Sequence, residues 1–371
     1  EYLNTMNRLL EAGAKKLGWQ GHRVPQARKD CQKSGHCMQG CAFGAKQSQL
    51  VTHIEDFVAA GGELYADTRA KKLEFSGNGV RSLTCAIMDR RQAKESANLL
   101  ELEAKAFVVA TGGFSSAAFL LSQGLGASLP VLGKNIAMNP SPIVHALYRE
   151  PVVQWRNIPA GFGIDQFRLA TYKDGKYVEG GYLLMPNQLQ PATLAAMLPG
   201  YGRDHFEWME MLPHLGGTIG WIDDLPVGFV EVDGNRRKLH YAPGETNKAM
   251  LRDLLKQQVQ VNFAAGAQRV LLSDLRGTEI KSADDLSAID RLEFEPGSFA
   301  MASPHPAGGC RMGENAQTSV VNSEHCVHGM ANLYVADPSV FPTAVSVDPS
   351  YTIMAFSYIA AQSIDAALRK K

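Results

Sequence analysis

Hydrophobic residues along the chain follow helical spacing first and strand-like spacing afterwards. Residues 1–18 place Leu and Met at helical intervals among charged residues, which predicts an amphipathic helix. Residues 48–62 predict a second helix that ends at two glycines. The apolar positions of this second helix share one face, and they are Val51, Ile54, Val58 and Ala59.

Three extended patterns follow between residues 63 and 113. The segments are ELYADTRAKKLEF, GVRSLTCAIMD and LLELEAKAFVVATGG, and each predicts a strand. The third contains AFVVA, a continuous apolar run that is typical of a strand buried on both faces. Residues 115–126 then predict a helix that ends at a glycine.

The remaining sequence changes character at about residue 140 and again at about residue 331. Residues 140–300 are richer in Trp and Tyr, carry short strand-like runs and contain one clear helical pattern near 246–259. From residue 331 the strand-and-helix pattern of residues 63–126 returns. NLYVAD predicts a strand, and a long helix runs to about Leu368. The pattern predicts an α/β protein with an inserted region of different construction.

Composition and charge exclude several classes of function. The chain has 371 residues with 37 basic and 37 acidic side chains, which gives no reason to expect nucleic acid or an anionic membrane as a partner. No apolar run reaches the roughly 20 residues of a membrane-spanning helix, and the first residues lack the apolar core of a signal peptide. We expect a cytoplasmic or peripheral membrane location. Six cysteines do not make a disulfide framework in a chain of this length.

Two polar positions near the end of the chain are candidates for chemistry. His305 lies between two prolines in SPHPAGGCRMG, and a neutral imidazole is a suitable general base near pH 7. The alternative is a buried histidine bonded to the backbone. Asp337 ends the NLYVAD strand, where an open α/β sheet binds ligands. The alternative is a turn aspartate before Pro338.

Several of these segments, in this order, resemble the glucose-methanol-choline (GMC) family of flavoprotein oxidoreductases. The C-terminal blocks are HPAGGCRMG, VHGMANLYVADPSVFP and VSVDPSYTIMAFSYIAAQSID, and the upstream ones are CAFGAKQS, AFVVATGGFSSAAFLLSQGLG and LGKNIAMNP. The resemblance covers about residues 31–140 and 300–371. It implies a partial, Rossmann-like FAD-binding domain at 1–135 and 301–371, the latter carrying the catalytic loop and helix, with an α+β substrate domain at 136–300.

The resemblance also implies roles for individual residues. His305 corresponds to the base that faces the flavin, and Asp348 stands where the family has asparagine or histidine. Asp348 precedes a proline, so it is equally a predicted helix cap. The helix after it would direct its positive end at the flavin. The FAD contacts implied by the resemblance are Ala70, Thr111, Gly112, Asp337, Pro349 and Ser350.

One departure from the family concerns the phosphate-binding turn. No G-x-G-x-x-G motif occurs in the chain, whereas the family holds FAD with a glycine-rich turn near its N-terminus. We therefore expect a fragment, a processed product or one part of a split protein. Its expected partners are a small-molecule alcohol substrate together with a missing N-terminal segment or an electron-transfer subunit.

Cys31, Cys37 and Cys41 lie in one loop with C-x5-C-x3-C spacing. Three thiolates can bind a [3Fe-4S] cluster or, with His36, a zinc ion, and the spacing resembles that of iron–sulfur dehydrogenases of the family. Free or packed thiols are the alternative. Three functions follow as hypotheses: FAD-dependent oxidation of a hydrophobic alcohol or sterol, a dehydrogenase that passes electrons through a cluster to a quinone or cytochrome, and a catalytically silent fragment.

Overall fold

The computed structural model describes residues 3–234, 236–345 and 347–370. The helices are α1 (Thr5–Lys16), α2 (His53–Ala59), α3 (Gly113–Ser122), α4 (Pro191–Met197), α5 (Gly202–Glu210), α6 (Glu245–Ala264), α7 (Ser287–Asp290) and α8 (Ser350–Arg369). Among the described residues, none of these helices is long and apolar enough to cross a membrane.

The strands are short and mostly antiparallel. They are β1 (Gly21–Arg23), β2 (Thr68–Ser76), β3 (Gly79–Asp89), β4 (Lys94–Glu103), β5 (Phe107–Val109), β6 (Ser141–Tyr148), β7 (Phe162–Ile164), β8 (Thr171–Lys173), β9 (Lys176–Glu179), β10 (Tyr182–Pro186), β11 (Leu215–Ile222), β12 (Phe229–Asp233), β13 (Arg236–His240), β14 (Ala267–Leu272), β15 (Glu279–Ile280), β16 (Met301–Ala302) and β17 (Leu333–Val335).

The chain divides into two units, each made of three separate segments. Unit 1 contains the residues up to 60, 139–224 and 243–304, and unit 2 contains 61–138, 225–242 and the residues from 305 onward. The predicted boundaries at 135/136 and 300/301 fall within four residues of two of these cuts. Residues up to 60 join the middle region instead of 61–135, because the apolar face of α1 packs in the core of unit 1.

Unit 1 is built on an eight-stranded sheet in the order β1-β7-β10-β11-β6-β14-β15, with β16 paired to β6. One face of the sheet packs against α1 and α6, through side chains such as Met6 and Leu254. The predicted amphipathic helix is confirmed as α1, which Asn4 caps by accepting a hydrogen bond from the Asn7 amide at 3.0 Å. The opposite face holds a smaller apolar cluster with α4 and α5.

Unit 2 contains the antiparallel sheet β2-β3-β4, the hairpin β12-β13 and a parallel pair formed by β5 and β17. Helix α3 packs near the hairpin and contributes Ala117 and Leu120 to the apolar core. The last predicted helix is confirmed as α8, which ends at Arg369.

Two expectations about burial were wrong. The AFVVA strand is not buried on both faces, since Val108 in β5 is 47% exposed. In the described part of the chain β5 pairs with β17 alone, so the other edge of β5 has no neighbouring strand. Helix α2 buries none of its residues, and Val58 on its predicted apolar face is exposed.

Candidate functional site

The loop that carries His305 is held by backbone contacts within unit 2. Ala307 exchanges two hydrogen bonds with Ala137, at 2.9 and 3.0 Å. Gly308 follows with a φ of +87°, and a Cβ atom there would stand 2.0 Å from the carbonyl oxygen of Asn135. Only glycine fits so close an approach in this conformation. The glycine pair in the motif therefore sets the path of the loop beside His305.

His305 is in direct contact with Asp348 inside unit 2. Nε2 of His305 lies 3.2 Å from Oδ1 of Asp348, and the two side chains are 13% and 60% exposed. The sequence also predicts Asp348 as a helix cap. The structure assigns the cap position to Pro349 instead, and the Asp348 carboxylate turns to the imidazole. The two predicted catalytic residues are thus in direct contact.

The N-terminus of α8 lies directly after this pair in the chain. The first helical hydrogen bond runs from the Ile353 amide to the carbonyl of Pro349 at 2.8 Å, and the residue at the cap position, Pro349, makes no side-chain hydrogen bond to the helix. The first amides of a helix have no partner within the helix, so those of the first turn, which includes Ser350, can donate to an acceptor. The positive end of a 20-residue helix suits an anionic group. Pro349 and Ser350 are thus placed beside His305 and Asp348.

Thr111, Gly112 and Asp337 meet at the carboxyl ends of the parallel strands β5 and β17. Oδ2 of Asp337 accepts a hydrogen bond from the Gly112 amide at 2.8 Å and another from the Ser116 hydroxyl. Its Oδ1 accepts from the Ser339 amide at 2.8 Å. The carboxylate is only 6% exposed, so it ties the two strand ends together. Direct contact of Asp337 with FAD stays a prediction.

Sequence reasoning missed Ser116, which completes this arrangement. Its hydroxyl lies 2.9 Å from the Thr111 hydroxyl and also accepts from the Thr111 amide at 3.1 Å. The available signal was its place on the first turn of a helix that follows a strand and two glycines. That placement directs a side chain back toward the strand end.

Ala70 is separate from the other predicted FAD contacts. It is an exposed residue of β2, and its neighbours Lys71 and Leu73 are bonded through their backbones to Gln123. Gln123 follows the last residue of α3, whereas Gly112 precedes the first. A helix of 10 residues separates these ends by about 15 Å. The role of Ala70 therefore stays a prediction.

The predicted metal site is not supported. Cys31, Cys37 and Cys41 are free, partly exposed thiols, and no three His, Cys, Asp or Glu side chains among residues 3–234, 236–345 and 347–370 lie close enough together to hold a metal ion. Cys31 accepts from the Lys33 amide at 3.4 Å. Backbone hydrogen bonds from Lys46 and Phe43 lower the pKa of the Cys41 thiol. The sulfurs of Cys31 and Cys41 thus accept hydrogen bonds from backbone amides of their own loop.

Family models identify the group of proteins to which this architecture belongs. The N-terminal model of the GMC oxidoreductases matches residues 1–141, and their C-terminal model matches residues 227–357. The chain belongs to the GMC oxidoreductase family. The GMC signature in the sequence and the placement of His305 in unit 2 agree with that assignment.

Curated GMC relatives are similar along nearly all of this chain. An uncharacterised GMC-type oxidoreductase of Mycobacterium tuberculosis is 26% identical over 359 residues, which are 96% of this chain and 54% of the relative. A long-chain-alcohol oxidase of Arabidopsis thaliana is 25% identical over an alignment of 380 positions, which covers 95% of this chain and 49% of the relative. The chain therefore spans about half the length of the curated relatives it matches.

Solved GMC structures share the mixed α/β fold. Pyridoxine 4-oxidase from Mesorbium loti superposes with a TM-score of 0.68 at 18% identity, and covers 98% of this chain and 70% of its own. Formate oxidase of Aspergillus oryzae, studied for the modification of its FAD, superposes with a TM-score of 0.67 at 14% identity. The match covers 99% of this chain and 72% of the formate oxidase.

The residues of unit 2 fit part of an FAD molecule, the cofactor that the GMC resemblance implies. The uncapped start of α8 suits the ring edge that becomes anionic on reduction. At the carboxyl end of β5, Gly112 has a φ of +83° and open space where a Cβ would stand. Backbone without side chains permits a close approach by a phosphate-bearing ligand.

Proposed function

We propose that this chain takes part in the FAD-dependent oxidation of an alcohol carbon to a carbonyl. The observation that carries the proposal is the 3.2 Å contact between His305 and Asp348, immediately before the uncapped N-terminus of α8. A histidine with a carboxylate partner is a recurring arrangement for general base catalysis.

The proton and the hydride leave the alcohol to different acceptors. The hydroxyl proton goes to the imidazole of His305, because loss of hydride from a neutral alcohol would leave a high-energy cation. Asp348 then stabilises the imidazolium by charge. Bound FAD supplies the acceptor for the two electrons and the hydrogen that leave the carbon. Pro349, Ser350, Thr111, Gly112 and Asp337 are the residues proposed to hold the cofactor.

We infer that the substrate is a hydrophobic alcohol or a sterol. The apolar content of the middle region supports this choice over a free sugar. Several similar proteins of Arabidopsis thaliana are named long-chain-alcohol oxidases, with 22–26% identity over 95–98% of this chain. A panel of 1-alkanols of increasing length, a sterol and glucose tests the inference. Higher kcat/KM for glucose than for the longer alkanols would contradict it.

We also propose that unit 2 binds a further strand beside its parallel pair. Val108 of β5 is 47% exposed, and the described residues provide β5 with one neighbouring strand. An apolar strand from a segment outside these 371 residues, or from another chain, would cover this surface.

The experiment that tests the proposed function is the replacement of His305. In FAD-loaded protein, His305→Ala should lower kcat by about 10²–10⁴-fold, the range for loss of a general base. Flavin content, read from absorbance near 450 nm, should not change. The matched control is His53→Ala, which removes an exposed histidine of α2 and should leave kcat unchanged.

Two outcomes would contradict this assignment. Parallel loss of flavin and activity in His305→Ala would make His305 a structural residue. A wild-type chain that binds FAD but oxidises no alcohol in the panel would favour the second candidate, a catalytically silent fragment. That candidate is supported by the missing G-x-G-x-x-G motif.

A further inference from the structure

A cavity of about 280 Å³ opens in unit 1, on the face of the sheet that α4 and α5 cover. One wall is α5, and the other is the hairpin of β14 and β15. The hairpin turn meets the segment before α5 at one end, where a Cβ at Gly277 would stand 3.4 Å from Cγ of Pro199. Pockets for drug-sized ligands measure roughly 300–1,000 Å³, so this space suits a small molecule.

The α5 wall presents carboxylates and a large aromatic ring on one side of the helix. Asp204, Glu207, Trp208 and Met211 line the cavity, and they follow the spacing of a single helix face. Trp208 is only 8% exposed, whereas Asp204 and Glu207 are exposed. The ring therefore forms the floor of the cavity, and the two carboxylates lie at its mouth.

Arg269 on the hairpin wall is engaged by neighbouring side chains. Its guanidinium lies 4.8 Å from the centroid of the Trp208 ring, and its Nη1 lies 3.5 Å from Oε1 of Glu279. Its Nη2 also lies 3.3 Å from Sδ of Met211. These contacts hold the Arg269 side chain between α5 and the hairpin. Arg269 therefore helps to build the cavity, and Glu279 compensates its charge.

Two further charged residues, Asp204 on α5 and Arg276 in the hairpin turn, line the same cavity from its opposite walls. The third carboxylate, that of Glu207, pairs with Arg203 at 3.1 Å. Within the described part of the chain, the side chains of Asp204 and Arg276 form no ion pair and no hydrogen bond, with each other or with a third residue. A ligand that enters the cavity thus meets one uncompensated charge of each sign.

This distribution of charge selects a zwitterion over a simple ion. An anion attracted to Arg276 would also face the carboxylates of the lining, and a cation attracted to Asp204 would face Arg276. A carboxylate can accept two parallel hydrogen bonds from a guanidinium, and an ammonium group supplies three donors to a carboxylate. A molecule that carries both groups matches both walls, whereas an alcohol matches neither charge.

We propose that this cavity binds a small zwitterionic amino acid. Its carboxylate pairs with Arg276 and its ammonium group with Asp204, while its carbon chain rests on the floor formed by Trp208 and Leu271. The site lies wholly within unit 1 and shares no residue with the arrangement around His305. The ligand therefore differs in chemistry and in place from the alcohol of the proposed oxidation.

The first test is a ¹⁹F NMR titration of protein labelled with 5-fluorotryptophan, in which Trp208→Phe identifies the resonance of Trp208. The zwitterions are glycine, 4-aminobutyrate and 6-aminohexanoate, which differ in the length of the spacer. Butyrate and butylamine each lack one of the two charges. We expect at least one zwitterion to shift the Trp208 resonance in a saturable manner, with a Kd about tenfold or more below those of butyrate and butylamine. Equal affinity for a singly charged probe, or no response to any zwitterion, would overturn the proposal.

The second test removes one charge from each wall of the cavity. Asp204→Asn and Arg276→Gln should each raise the Kd of the best zwitterion about tenfold or more, because each removes the charge from one partner of the ligand. Matched controls are Asp284→Asn and Arg291→Gln, which remove the same charges from exposed positions of unit 1 outside the cavity. The controls should bind as the wild type does. Wild-type affinity in either cavity variant, or an equal loss in its control, would overturn the proposal.

The design also guards against a failure of folding. Asp204 and Arg276 are exposed, so their replacement should leave Tm unchanged. Trp208 is buried, and if Trp208→Phe does not fold, calorimetric titration of the wild type with the same five probes gives the same comparison of affinities. None of these measurements requires FAD or turnover, so failure here is distinct from failure of the proposed oxidation.

Discussion

At the scale of single residues, the pairing of His305 with Asp348 determines how the proposed base behaves. The carboxylate is 60% exposed, so solvent and salt screen its charge and the pair contributes little to stability. The carboxylate is nevertheless in contact with the proposed base, since Oδ1 of Asp348 lies 3.2 Å from Nε2 of His305. Asp348 would therefore influence catalysis much more than folding.

We predict that Asp348→Asn moves the pH–rate profile without destabilising the protein. An ionised carboxylate favours the protonated imidazole, which cannot accept a proton. Without that charge, kcat/KM should begin its rise at lower pH than in the wild type. The measurement is kcat/KM between pH 5 and 9 with a saturating electron acceptor. Superimposed profiles would remove Asp348 from the mechanism.

Glu231→Gln is the control for that comparison. Glu231 contacts His240 at 2.9 Å in the β12-β13 hairpin of the same unit, so the change also removes a carboxylate beside a histidine. The pH–rate profile of Glu231→Gln should follow that of the wild type. A shift as large as that of Asp348→Asn would instead reflect the net charge of the protein.

At the scale of secondary structure elements, one carboxylate joins β5, α3 and β17. We predict that Asp337→Asn lowers the free energy of unfolding by about 1.5–3 kcal/mol, the range for hydrogen bonds to a charged group. An amide NH₂ would face a backbone donor at Gly112 or Ser339. Urea unfolding measures the change. Asp365→Asn, which breaks an exposed pair with Arg369, should cost less than about 0.5 kcal/mol.

The loop after His305 requires glycine at position 308 for two reasons, its positive φ and its close approach to another backbone segment. Gly308→Ala combines a φ of +87° with a Cβ at 2.0 Å from the carbonyl oxygen of Asn135. Gly77→Ala is the control, since Gly77 has a φ of +58° and open space around its Cβ position. We expect Gly77→Ala to cost about 1 kcal/mol, from the left-handed conformation alone, and Gly308→Ala to cost clearly more. Equal losses of stability in thermal unfolding would refute the steric argument.

Local sequence patterns predicted the helices and strands well, but they did not predict which other elements pack beside each one. Helices α1 and α8 followed from periodic apolar residues and recognisable ends, and the structure confirms both. The exposure of Val108 could not be predicted, because it depends on which strand lies beside β5. The cysteine loop shows the same limit, since the C-x5-C-x3-C spacing did not determine where Cys31 and Cys41 direct their sulfurs.

The candidate site was predictable where residues have fixed neighbours in the family motif. His305 and Asp348 were proposed together and lie in contact. Ser116 was missed, because its hydroxyl donates a hydrogen bond to the carboxylate of Asp337, which is 221 residues away in the sequence.

At the scale of the whole molecule, the uncovered side of the β5–β17 pair bears on cofactor affinity. We predict that this chain alone binds FAD weakly and that an added segment with an apolar strand followed by a glycine-rich turn raises the affinity at least tenfold. The segment would pair with the open edge and supply backbone amides for the pyrophosphate. Titration of flavin fluorescence with and without the segment measures the effect. Tight, stoichiometric binding by the chain alone would disprove it.

The joining of strand ends by Asp337 also has a consequence for the order of folding. The bond between Gly112 and Asp337 closes a loop of 225 residues, whereas β2, β3 and β4 pair with their immediate neighbours in the chain. Closing a long loop costs more conformational entropy than forming a hairpin. The three-stranded meander should thus acquire protected amides early during refolding, and the amides of Gly112 and Ala336 should become protected only in the last kinetic phase.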